Sequence, residues 1–179
     1  MRLIVVEGPD SSGKSTLIEN LRHSTDRYFW LLKPSGPPGS LESLGKAIYL
    51  ATLLASGLEK GSFPPLVMDR HPLISDPIYS ISLGRKNLAS GSWERSEAQE
   101  LLKHQVERII YCRPHIATII GTFKGRQLSG VFENLPVIIE GYDRMMLELA
   151  EEYGIPVIRY DWTMPSINRT YDDLFFGDL

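Results

Sequence analysis

Residues 7–16 read EGPDSSGKST and follow directly on the apolar run Leu3–Val6. From Gly8 to Ser15 the stretch fits GxxxxGK(S/T), the phosphate-binding loop, in the context that motif requires: a strand before it and a helix after it. Glycine at 8 and 13 lets the main chain curl until successive N–H groups converge. Those donors, with the positive end of the following helix, hold phosphate oxygens. Lys14 adds a mobile point charge for the β- and γ-phosphates, and the Ser15 hydroxyl is placed to ligate Mg2+. Ser11, Ser12 and Thr16 complete the set expected around the phosphates of ATP.

Outward from this loop, short apolar runs recur at Leu3–Val6, Phe29–Leu32, Leu66–Met68, Ile109–Cys112 and Val157–Tyr160. Their nearly continuous apolar character suits strands buried on both faces of a parallel sheet. Helical patterns fall between them, at Ser15–Arg22, Leu41–Leu58, Ser96–Val106 and Val137–Tyr153. The third opens with SEAQ, which reads as a capping box, and the last stops at Gly154 and Pro156. Alternation of this kind predicts an α/β fold, an open sheet with right-handed crossovers. The tail from Asn168 carries no clear pattern.

A second motif lies at residues 66–79, LVMDRHPLISDPIY. Asp69 ends a strand, where its carboxylate faces the phosphate loop and is a candidate metal ligand through water or a candidate proton acceptor. Arg70 follows, with a guanidinium suited to clamping an acceptor phosphate bidentately. Arg113 ends another strand at the same sheet edge, where ligands bind in such sheets, and is a candidate nucleotide contact. His71 is a candidate helper at the acceptor site. Tyr49 suits either stacking on a base or packing in the core.

The 179 residues fit one domain spanning 1–179, and 42% hydrophobic content provides for a sizeable core. A net charge of −3 speaks against a general nucleic-acid or membrane-surface binder. No run approaches the roughly 18 apolar residues of a membrane span, and MRLIVVEG is too short for a signal peptide. Cys112 is the only cysteine, which excludes an intrachain disulfide and a CxxC zinc site. It reads as a small buried hydrophobe. A cytoplasmic protein is expected.

Several stretches carry a family likeness. EGPDSSGKST resembles the EGxDGxGKST opening of thymidylate kinases, and DRHPLISDPIY is similar to their DRY…S…AY segment. KPSGPPGSLESLG, RIIYCRPHIATII and GYDRMMLELAEEYGIPVIRYD resemble later family stretches in the same order. The resemblance implies a nucleoside monophosphate kinase: a three-layer P-loop NTPase fold with a five-stranded parallel sheet and a small lid, here near 121–135, often as a homodimer. It implies ATP as phosphoryl donor, Mg2+, and a nucleoside monophosphate as substrate. On the matching positions, Asp10 lies near the acceptor sugar or phosphate, Arg70 holds the acceptor phosphate, and Tyr79 lies along the nucleoside. Lys124 and Arg126 in GTFKGRQ supply lid cations, with Arg126 acting in transfer because Ser11 and Ser12 leave the loop without an arginine. Two departures stand out. Lys33 replaces the family's glutamate, putting a positive charge at the acceptor pocket, and the segment before Ser75 is one residue longer; both Lys33 and Ser75 are candidate substrate contacts.

The function expected is ATP-dependent phosphoryl transfer to a (deoxy)nucleoside monophosphate such as dTMP. One alternative is a deoxynucleoside kinase, in which Asp69 takes the proton of a sugar hydroxyl. A further alternative is a nucleotide-binding regulatory protein.

Overall fold

The computed structural model describes residues 3–24, 26–34, 42, 44–46, 48–49, 64–88, 95–123, 129–164 and 170–177, with the main chain alone at 95, 96 and 98. Five strands form one all-parallel sheet: β1 (Leu3–Glu7), β2 (Trp30–Leu32), β3 (Leu66–Asp69), β4 (Val106–Cys112) and β5 (Val157–Tyr160). Their order is β2-β3-β1-β4-β5, so the first strand is central. The helices described are α1 (Lys14–Ser24), α2 (Pro72–Ser82), α3 (Arg95–Gln105), α4 (Ile116–Thr122), α5 (Leu135–Glu151) and α6 (Tyr171–Phe176). This is the α/β sheet with flanking helices that the alternation of runs predicts.

Period-two alternation along β1 divides the core between the two faces. Leu3 and Val5 point to one side, with Met68, Ile109 and Tyr111, and meet Ile74 of α2 and Ile138 and Tyr142 of α5. Ile4 and Val6 point to the other, with Val67, Ile110 and Cys112, and meet Leu17, Ile18 and Leu21 of α1 and Phe175 of α6. Every residue of β1 is fully buried, and Leu3–Val6 accordingly read as an uninterrupted apolar run, with the Glu7 carboxylate buried at its end.

Four local readings are corrected. The SEAQ stretch is no capping box, because α3 already includes Arg95, and the Gln99 amide bonds Glu148 and the Tyr153 hydroxyl rather than its own helix start. Val106 opens β4 instead of closing that helix. The tail is not patternless: Thr170 and Asp173 form a reciprocal capping box that starts α6 and buries Leu174, Phe175 and Phe176. Tyr49 is 67% exposed, so it does not pack in the core. Most of the 41–58 segment, Lys124 and Arg126, which the family likeness assigns to a lid, and Asn168 lie outside the described residues.

Among the described residues no helix is long and apolar enough to cross a membrane.

Candidate active site

The carboxyl ends of β1, β3 and β4 deliver the loop and its neighbours to one edge, since Val6 pairs with Asp69 and Glu7 with Tyr111. Gly8 has φ of +141°, and a Cβ there would sit 2.4 Å from the Cys112 carbonyl oxygen and 2.8 Å from Ser12 Oγ. Only glycine lets the main chain pass so close to the end of β4. Gly13 has φ of +93°, and a Cβ there would meet the Trp162 ring at 2.7 Å. Ser11 also takes a positive φ, 60°. The loop is therefore curled, and α1 begins directly behind it at Lys14.

Lys14 turns into its own loop. Its Nζ donates to the Gly8 carbonyl at 2.9 Å, the Pro9 carbonyl at 2.6 Å and Ser12 Oγ at 3.4 Å. Burial, reinforced by the nearby Arg70 charge, lowers its pKa to about 8. Ser15 and Thr16 are exposed on the first turn of α1. Thr122, at the end of α4, donates its hydroxyl to the Ser11 carbonyl at 3.1 Å and braces the loop from outside.

Arg70 sits just past β3 with φ of +73°, an uncommon conformation for a residue with a side chain. Its N–H still donates to the Val6 carbonyl at 3.0 Å, which holds the turn. The guanidinium gathers three partners: Nη2 donates to Asp10 Oδ1 at 2.5 Å and to Tyr79 Oη at 3.1 Å, and Nη1 to Tyr142 Oη at 2.7 Å. The Tyr79 hydroxyl also accepts from the Asp10 N–H at 3.0 Å. So the structure brings Asp10, Arg70 and Tyr79 together beside the loop. Asp69 is buried and pairs with Lys33 Nζ at 3.3 Å.

Other candidates lie differently. The Ser75 hydroxyl donates to the His71 carbonyl inside α2. Arg113 grips Asp143 of α5, Nε to Oδ1 at 2.9 Å and Nη2 to Oδ2 at 3.0 Å. It holds that carboxyl, itself partly buried, below its ordinary value. His71 caps α2 by accepting the Leu73 N–H on Nδ1, and its Nε2 is buried without a partner. Burial drives its pKa down to about 3, so the ring is neutral. Burial also raises the Cys112 thiol to about 12, which leaves it inert.

No family model matches the chain, and no curated protein matches its sequence. Solved structures do. A Bacillus subtilis YorR protein, in complex with phosphorylated GDP, aligns with a TM-score of 0.64 at 19% identity, covering 96% of this chain and 92% of its own. A deoxyadenosine kinase from M. mycoides with bound dATP aligns at 0.52 and 17% identity over 92% and 93% of the two chains. The same enzyme with products dCMP and a flexible dCDP aligns at 0.53 and 16% identity, over 91% and 92%. With these structures the chain shares its fold, a five-stranded parallel sheet flanked by helices. Within it, three residues that the sequence analysis gave no role join the site. Glu7 opens the EGPDSSGKST stretch, Tyr142 lies in GYDRMMLELAEEYGIPVIRYD, and Trp162 falls just after it. Only the fold brings them to the phosphate loop and Arg70.

Proposed function

We propose that the chain transfers the γ-phosphoryl group of ATP to a (deoxy)nucleoside monophosphate, as a thymidylate kinase-like P-loop kinase. The observation that carries this reading is the pair of cations at one sheet edge. Lys14 lies in the phosphate loop, and the Arg70 guanidinium bonds Asp10 of the same loop at 2.5 Å. Two anions, the triphosphate tail and an acceptor phosphate, match two fixed positive groups. Asp10 stands in the position an acceptor phosphate would take on Arg70 Nη2. A phosphate acceptor is already ionised near neutral pH, so the transfer asks for positioning and charge neutralisation rather than a base. Lys33 pairs with Asp69 on the same side and offsets that carboxylate's charge.

Mg2+ fits the residues present. The Ser15 hydroxyl and the Asp69 carboxylate are hard oxygen donors, and Mg2+ takes few protein ligands beside substrate phosphates. When bound, the ion would neutralise charge on the transferring phosphoryl group. The chain's own part is to thread main-chain N–H groups around the phosphates, to bring Lys14 out of its loop contacts onto them, and to orient Arg70. Lys124 and Arg126 would close over the donor and exclude water.

A second reading is favoured by the deoxyadenosine kinase structures, whose fold this chain shares. There the acceptor would be a nucleoside hydroxyl and Asp69 its base. The two separate in one assay: ADP release measured across all common nucleosides and nucleoside monophosphates. A monophosphate consumed in preference to its nucleoside is expected. A nucleoside phosphorylated at its hydroxyl, with monophosphates inert, would overturn the proposal.

A further inference from the structure

Behind Arg70 lies a buried carboxylate that the proposed transfer does not use. Glu7, at the end of β1, is fully buried. Its Oε1 accepts the His71 main-chain N–H at 2.5 Å, and its Oε2 accepts the Tyr142 hydroxyl at 3.2 Å. The Tyr142 oxygen in turn accepts Arg70 Nη1 at 2.7 Å. A continuous chain therefore runs from Glu7 through Tyr142 to the inner corner of the guanidinium, while the outer corner, Nη2, faces Asp10 and Tyr79. The same carboxylate holds the main chain at His71, immediately after Arg70 and its positive φ. Both ends of Arg70, backbone and guanidinium, thus trace back to one acid.

We infer that Glu7, acting through Tyr142 and the His71 N–H, is the positioning residue that keeps Arg70 aimed at the acceptor anion. The inference rests on the reading of Arg70 as the acceptor-phosphate cation. When an anion takes the place of Asp10 on Nη2, that outer contact changes hands. Nη1 needs a partner that stays, or the guanidinium swings with its ligand. Tyr142 is suited to this. It is fully buried, its ring lies stacked 6.0 Å from Tyr111 and edge-on 6.2 Å from Tyr79, and its hydroxyl is held by Glu7. A planar, forked cation gains most from such pre-orientation.

The test compares wild type with Tyr142→Phe, which removes one hydroxyl and leaves the ring packing, and with Glu7→Gln, which keeps an acceptor for His71 N–H. Two readouts are taken. Arginine side-chain NMR reads hindered rotation of the Arg70 guanidinium without any ligand. Kinetics with the monophosphate found in the acceptor panel reads KM and kcat separately, with calorimetry for Mg·ATP. In wild type, resolved Arg70 Nη signals are expected; in Tyr142→Phe they collapse. The acceptor KM rises about tenfold or more, as befits one lost hydrogen bond to a charged group, while Mg·ATP affinity is unmoved. The Tyr142→Phe effect on KM vanishes in an Arg70→Lys background. Arg70 signals unchanged in both variants, or a KM rise of equal size after Arg70→Lys, would overturn the positioning role. Should wild type phosphorylate no monophosphate, the functional reading fails instead, and the NMR arm still decides whether Glu7 orients Arg70.

Discussion

At Gly13 one hydrogen atom separates a working loop from a collision. The residue holds φ of +93° under the Trp162 ring, so a methyl group there meets both a backbone penalty and an aromatic wall. Gly13→Ala is expected to lose about 1–2 kcal/mol from the left-handed backbone alone, a fall in Tm of about 2–8 °C for a chain of this size. Its Mg·ATP uptake should weaken more than stability does, because the converging N–H groups move. Trp162→Ala in the same chain removes the wall and not the backbone penalty, so it should recover only part of the loss. Thermal scans and calorimetry on the two variants check this, and a Gly13→Ala protein that melts and binds like wild type would contradict it. The expectation that Gly13 curls a phosphate-binding loop comes from GxxxxGK(S/T). Its second constraint is not, because Trp162 lies 149 residues further along the chain.

Among the elements, α6 depends on its first residue most openly. The Thr170 hydroxyl accepts the Asp173 N–H at 3.1 Å, and Asp173 Oδ2 accepts the Thr170 N–H at the same distance. Thr170→Ala should cost about 1 kcal/mol, or roughly 2–4 °C in Tm. It should also loosen Phe175 and Phe176 from α1, which hydrogen exchange over the last turn of α1 would read. An unchanged melting curve would place the anchoring of α6 elsewhere. The strands were legible because burial on both faces leaves an unbroken apolar run. The helices were legible only where their signals were conventional. α2 begins at a histidine ring nitrogen and carries Pro72 and Pro77, so its sequence reads as a turn-rich segment. Conversely, SEAQ has the spacing of a cap, but its glutamine is claimed by Glu148 and Tyr153 across the fold. Local pattern sets what an element can do; partners distant in sequence decide which option is taken.

For the molecule as a whole, two neighbouring buried groups pull stability in opposite directions as pH changes. Burial lowers His71 from 6.5 to about 3 and raises Glu7 from 4.5 to about 7. Between pH 4.5 and 6.5 the unfolded chain holds the His71 proton that the folded one lacks, so stability rises with pH on that account. Over the same window the folded chain holds the Glu7 proton that the unfolded one has lost, so stability falls. The two contributions are opposite in sign and offset each other across this window. Wild type should show a nearly constant urea midpoint from pH 5 to 6. Glu7→Gln removes the falling contribution, so its urea midpoint should climb between pH 5 and 6, a gain in stability on the order of 1 kcal/mol. A variant as flat as wild type would show that His71 is not held neutral. A different consequence follows from the central place of β1. Leu3 finds its neighbours at Leu66 and Val106, so the first of these five strands to leave the ribosome is enclosed only after the third and fourth have followed. At ordinary elongation rates it waits about 5–20 s for the second of them. A nascent chain halted before Val106 should therefore be recognised by holding chaperones through LIVVE, however stable the finished protein is.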